Sequence, residues 1–352
     1  MSSDLRVLTE EQLQKISPHI ISLHDGNLTY EGPLSNSEEE VRRKILSEFR
    51  EATKNWSAKR LVLYAHGGLV PETSGVNDIY EDYQNILDSE CYPIAFIWHT
   101  GFLETLKDML HDLKEKYEEE PSDWYVPGQI FDISDGWLED KGRDLGSVIW
   151  SAMKDNALQA TVEANGGAKL VARLVSDLIK EDSTIEIHMV GHSAGSILLA
   201  YLLDFMVRPL AGEGLGLTVS SCSLWAPACT MSLFDSTYLP ALRTQKLKSL
   251  NLYTLSDAKE QSDNCAMIYR KSLLYLVSNS FEGDEAGRIP LLGMACFVEK
   301  HNEIADMIDK SLINWIKTGE PGSFQDCARH GDFPDWDNKV VGHTLELISA
   351  DV

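Results

Sequence analysis

Ile185-Glu186-Ile187-His188-Met189-Val190-Gly191-His192-Ser193-Ala194-Gly195 runs directly into Ser196-Ile197-Leu198-Leu199-Ala200-Tyr201-Leu202-Leu203. The first six residues form a short apolar run rich in β-branched side chains, and the last eight form an unbroken apolar stretch of helix formers. This reads as a buried strand turning sharply into a buried helix. Between them lies G-x-S-x-G. Its two glycines leave room for a tight turn that holds the Ser193 hydroxyl up at the strand end, above the free N–H groups of a helix N-terminus. A bare G-x-S-x-G arises often by chance; a strand before it and a buried helix after it make this one specific.

Working outward, four further runs have the same character: Leu61 to Ala65, Ile94 to Trp98, Val219 to Trp225 and Leu250 to Leu255. Continuous apolar strands separated by helical segments belong to parallel sheets covered on both faces, so the expected class is α/β, with a mostly parallel central sheet flanked by helices. The run at Leu61 ends in His66-Gly67-Gly68-Leu69. Acyl transfer creates a negative oxygen, and backbone N–H groups reach it only where no side chain blocks them. Glycines at the end of a neighbouring strand meet that need.

These two motifs together resemble the α/β-hydrolase superfamily, and within it the lipase and esterase branches. The likeness covers about Arg60 to the C-terminus. It implies a serine hydrolase that cleaves a carboxylic ester through an acyl-enzyme, with Ser193 as nucleophile and an oxyanion hole built from the N–H of Ala194 and that of Gly68 or Leu69. Leu69 departs from the H-G-G-G form of some esterases, which leaves the choice between those two amides open. The family order of serine, acid, histidine places the acid after the run ending at Leu255 and the histidine near the end of the chain. Asp257 is the first candidate acid, since a strand terminus positions a carboxylate firmly; Asp263 is the second, and Glu260 reads as a solvated loop residue. His330, beside Gly331 and after a short run that would be the last strand, is the candidate base, with His343 as its rival. His66 and His192 read as packing residues within their motifs. Trp98, His99 and His192 are the candidate substrate contacts.

The rest of the chain frames this site. Ile20 to Leu23 and Leu28 to Tyr30 form a hairpin through Asp25-Gly26, a pair that supplies positive φ cheaply. A helix follows, opened by a Ser37/Glu40 capping box, with a stripe at Val41, Ile45, Phe49 and Ala52. Residues 1–55 are thus expected as an N-terminal hairpin and helix packed on the core, and 56–352 as the hydrolase domain. Residues 99–184 exceed the roughly 30 residues or more of a crossover unit. Leu103, Leu106, Leu110 and Leu113 mark one helix there, and sequence from about Gly136 to Lys180 continues helical. A helical insertion at about 100–170, acting as a cap before the nucleophile strand, is expected; an oligomer contact is the other use for it. Phe102, Trp124, Trp137 and Trp150 would line an apolar acyl pocket or form the insertion's own core.

Of 352 residues, 43% are hydrophobic and 24% charged, the balance of an ordinary globular protein. Lys and Arg number 31 against 55 Asp and Glu, a net charge of −24, which argues against nucleic acid and anionic lipid as partners. Six scattered cysteines with no C-x-x-C pair read as reduced thiols of a cytoplasmic protein, and neither a secretion signal nor a transmembrane segment is expected. No metal or cofactor is called for: there is no H-E-x-x-H, His343 to Glu346 is an isolated H-x-x-E, and Gly212, Gly214 and Gly216 fit no phosphate cradle. The expected partner is a small ester with an apolar acyl group. A hydrolase-like domain that has lost the chemistry and binds a small ligand or a protein is the alternative.

Overall fold

In a computed structural model, residues 8–30, 34–68, 72–99, 102–119, 130–282, 287–319, 327–335 and 339–350 are described. Among the described residues eight strands build one sheet: β1 (Ile20–His24), β2 (Asn27–Leu28), β3 (Arg60–Ala65), β4 (Cys91–His99), β5 (Glu186–His192), β6 (Ser221–Trp225), β7 (Leu250–Leu255) and β8 (Ile313–Thr318). Their order across the sheet is β2-β1-β4-β3-β5-β6-β7-β8. Only the β1/β2 hairpin is antiparallel; every other pair is parallel. All five apolar runs singled out in the sequence fall on parallel strands, and β3 and β7 are buried along their whole length, as strands covered on both faces must be.

The order contains a reversal that decides where a ligand goes. From β3 the chain moves outward to β4; it then recrosses to β5 on the other side of β3 and proceeds outward in the opposite direction. The loops leaving β3 and β5 therefore diverge, and open parallel sheets hold ligands in the crevice so formed. His66-Gly67-Gly68 and Ser193 sit on these two loops.

The N-terminal segment is integral to the sheet rather than laid against it, because β1 pairs in parallel with β4 from Ile20↔Ala95 to His24↔His99. Asp25 and Gly26 turn the hairpin at φ 47° and 76°. The Ser37/Glu40 capping box forms, and Val41, Ile45 and Phe49 are buried. The stripe then continues at Thr53 rather than Ala52, since residues Arg43–Glu48 form a π-helical turn whose wider winding shifts the buried face by one residue.

Among the described residues of the long interval before β5 are three helices, Phe102–Glu119, Ile130–Val162 and Gly167–Glu181. The second packs on the first, on the helix Gly195–Val207 that follows β5, and on the segment Val277–Phe281. Trp150 is fully buried there and donates its indole N–H to Glu282 at 2.7 Å, so it belongs to the core of this region. Trp137 is half-buried against the core; Trp124 and the Phe102 side chain lie outside what is described. All six cysteines are free thiols. Among the described residues, no helix is long and apolar enough to cross a membrane.

Candidate active site

Strand β5 ends at His192, and Ser193 follows with φ 50°, a left-handed conformation that an L side chain occupies only under strain. The turn is fixed from several directions. The N–H of Ser193 donates to Trp225 at 2.9 Å, and its carbonyl accepts from the N–H of Ala228 at 3.0 Å and from the Ser196 hydroxyl at 2.6 Å. Two glycines make the packing possible. A Cβ on Gly195 would stand 2.1 Å from the Ala65 carbonyl oxygen, and one on Gly191 would stand 2.8 Å from a Leu199 methyl. The motif glycines are therefore places where helix, turn and strand approach too closely for any side chain.

The facing loop is held by a histidine. His66 Nε2 accepts the N–H of Trp98 at 3.2 Å, which leaves its proton on Nδ1 to donate to the Gly67 carbonyl at 2.7 Å. The Trp98 indole donates to the His66 carbonyl at 3.1 Å, so Trp98 braces this loop and is absent from the cavity lining. The His99 side chain and Leu69 lie outside the described residues. Ala194 stands at the N-terminal end of the helix Gly195–Val207, where the first N–H groups have no acceptor within the helix.

His330 arrives from the far end of the chain, on a short 3₁₀ turn, His330–Asp332. Its Nε2 is 2.9 Å from Ser193 Oγ across 137 residues of sequence. Burial, with His192 beside it, pushes its pKa well below the usual 6.5, so the imidazole is neutral and its Nε2 is available as an acceptor. His192 donates from Nε2 to the His330 carbonyl at 3.1 Å, and its own pKa is pushed down to about 4 by burial. It thus braces the base while also lining the cavity.

Of the two candidate acids, Asp263 reaches the histidine and Asp257 does not. The Asp263 carboxylate accepts the backbone N–H of His330 at 2.8 Å and that of Asn264 at 2.7 Å. Asp257 instead begins a helix, Asp257–Ser262, with one oxygen accepting the Tyr275 hydroxyl at 2.7 Å and the other the Gln261 amide at 2.6 Å. The rigid strand end does position Asp257, but towards Tyr275; the intervening helix brings Asp263 back to the site. Glu260 is fully buried rather than solvated, and burial pushes its pKa up to about 8. His343 lies on the helix Lys339–Ser349 and accepts the Tyr253 hydroxyl at 3.0 Å, away from the serine. Out of keeping with a completed relay is Nδ1 of His330, buried without a hydrogen-bond partner among the described residues.

A cavity of about 540 Å³ opens over Ser193 and His330. Its lining differs from the apolar acyl pocket expected. Leu273, Ala266 and Pro334 contribute apolar surface, but Asp78, Glu81, Asp82, Asp263, Asp332 and Asp335 all line it, with Arg329 the cation among the lining residues described. Asp78, Glu81 and Asp82 come from the helix Glu72–Asp88 between β3 and β4. They were not singled out from the sequence, although a signal was there: Asp82 falls in register with Ile79 and Ile86, on the face that a crossover helix turns inward. Among the described residues, no three His, Cys, Asp or Glu side chains are grouped so as to hold a metal ion.

No family model, no curated protein and no solved structure matches this chain.

Proposed function

We propose that this chain is an α/β-hydrolase-type serine hydrolase, with the helices Phe102–Glu119 and Ile130–Val162 as its cap, cleaving a carboxylic ester through an acyl-enzyme. One observation carries the reading: Ser193, strained at φ 50° on a strand-to-helix turn, has a neutral imidazole 2.9 Å from its hydroxyl at the floor of an open cavity. A strained backbone conformation held by this many contacts persists where it serves a purpose.

In the proposed mechanism His330 Nε2 takes the Ser193 proton as Oγ attacks the substrate carbonyl, so a C–O bond forms and the carbonyl π pair moves onto oxygen. That oxyanion is stabilised by the N–H of Ala194 and by one from Gly68 or Leu69. The tetrahedral intermediate collapses, the alcohol leaves with the proton from His330, and water releases the acyl group by the same route in reverse. Asp263 fixes the position of His330 through its backbone and supplies negative charge beside the imidazolium. No metal or cofactor takes part in these steps.

The unpartnered Nδ1 of His330 favours a second reading, a hydrolase-like domain that binds a ligand without turning it over. A fluorophosphonate probe separates the two. Ser193-dependent labelling of the wild type, lost in Ser193→Ala and slowed at least about a hundredfold in His330→Ala, is expected of the enzyme. Wild-type labelling no faster than that of Ser193→Ala leaves only the binding domain.

A further inference from the structure

We propose that the carboxylates of Asp78 and Asp82 form a subsite for an organic ammonium group on the substrate, so that the ester presented to Ser193 is cationic. This rests on the acyl-transfer reading only for what happens to the ligand; the cation preference is a property of the cavity itself.

Two observations converge. The first is the site's composition: Asp78 and Asp82 are one helical turn apart, line the same cavity as Ser193, and share it with Glu81 and Asp335. The second is that Asp82 is 7% exposed, with its Oδ1 buried and without a hydrogen-bond partner among the described residues. A buried acceptor left open costs free energy, and an incoming donor recovers it. Burial, and then repulsion from Glu81 and Asp335, push the pKa of Asp78 up to about 7; burial, and then repulsion from Asp78, Glu81 and Asp335, push that of Asp82 up to about 8. Among the described residues Arg329 lines the same cavity, and it does not enter the shift of either carboxyl. A protein that merely needed to fill this position has no use for a carboxylate there, whereas a cation arriving with its own charge satisfies both.

Chemistry chooses the class of cation. A divalent metal requires at least three converging ligands, which the described residues do not group here. Below the two aspartates lies a narrow crevice walled by Tyr64, Ile79, Trp225 and Leu345. The crevice holds only about 40 Å³, so an ammonium between the carboxylates lays no more than a methyl-sized edge against that wall while its alkyl stem runs back through the larger cavity to Ser193.

The test uses matched pairs of p-nitrophenyl esters, ω-ammonio acyl chains of four to seven carbons against chains with methyl in place of ammonium. Aminoalkyl acetates and their alkyl counterparts cover an ammonium on the alcohol side. For the best pair, kcat/KM is expected to favour the cation at least tenfold at pH 8, and Asp82→Asn or Asp78→Asn to bring the ratio close to one. Calorimetry of the corresponding amides with Ser193→Ala reads the same preference without turnover, so an inert wild type would defeat the hydrolase reading while leaving this one decidable. Equal binding of charged and uncharged amides, or a preference that survives both aspartate variants, overturns the proposal. Tight binding of calcium that Asp82→Asn abolishes overturns it too, by making the site a metal site.

Discussion

Replacing Asp82 by Asn should make the protein more stable, by an amount that grows with pH. In the folded chain the Asp82 carboxyl faces Asp78 and Glu81 from its own helix, Tyr64 from β3 and Asp335 from the segment 327–335, and its pKa is raised from 3.8 to about 8, chiefly by burial. The unfolded chain loses this proton near pH 4 and the folded chain keeps it, so over this window the native state binds more protons. Stability from this group is therefore whole below about pH 4 and is lost as pH rises towards 8, at up to about 1.4 kcal/mol per pH unit. Asn has the same shape and no proton to lose. The expected gain is on the order of 1–2 kcal/mol at pH 5 and about 3–5 kcal/mol at pH 8, read from urea denaturation of both proteins at several pH values with the slope m unchanged. A loss of stability at pH 8, or a difference independent of pH, would refute the claim that this carboxylate is buried without compensation, and the ammonium subsite would lose its physical basis.

The same titration predicts that the preference for a cationic ester rises between pH 6 and 9 as Asp78 and Asp82 ionise, while the ammonium keeps its charge; a ratio of kcat/KM values flat over that range counts against it. Fluorophosphonate labelling should keep its rate to below pH 6.5, because burial holds His330 neutral there, and an acid limb at or above 6.5 would contradict that environment. His19 and His192, each pushed down to about 4, stay neutral while their unfolded counterparts protonate. Stability should accordingly fall as pH drops from about 6.5 towards 4, in the absence of the Asp contribution. Ser193→Gly should stabilise the fold by about 1 kcal/mol by releasing the φ 50° strain, and Ser193→Ala, which keeps a Cβ, should not; equal melting temperatures for the two would argue against strain. Gly195→Ala should cost about 3 kcal/mol, since its Cβ would meet a strand carbonyl that has nowhere to move, and native-like stability would disprove the close approach.

What was legible in the sequence followed from local rules with a strong signal. Strands buried on both faces must be apolar throughout, so Leu61–Ala65 and Leu250–Leu255 declare themselves, and the glycines around Ser193 mark a turn that admits no side chain. The pairing of Ser193 with His330 needed the order of the motifs as well, since 137 residues separate them. Of the two candidate acids, the one placed first, Asp257, does not reach His330, and the reason is specific. If the chain left β7 as a loop, Asp257 would stand nearest the site, but Asp257–Ser262 winds into a helix, for which an acidic first residue is favourable at the positive N-terminal end. That helix carries Asp257 towards Tyr275 and delivers Asp263 to the backbone of His330. Nor does any local rule reveal that a helix between β3 and β4 turns Asp78 and Asp82 towards a serine more than a hundred positions away in sequence; register with Ile79 and Ile86 gives the inward face, and only the sheet order gives what that face meets.

The position of these aspartates bears on why the cavity has the charge it has. With a net charge of −24, the protein attracts cations everywhere, and exposed carboxylates alone discriminate little because water and salt screen them. Selectivity requires taking a carboxylate out of water, and that costs stability unless the ligand restores it. Asp82 meets this condition: it is largely buried, incompletely hydrogen-bonded and lodged in the cavity that holds Ser193 and His330. The stability gained by Asp82→Asn and the selectivity lost by it should therefore come from one and the same interaction. Variants along Asp78, Glu81, Asp82 and Asp335 should rank in the same order for both, with Asp82 first, because desolvation sets both quantities. If the ranking for stability and the ranking for cation preference were unrelated, the burial of these carboxylates would have a structural cause and the preference a different one.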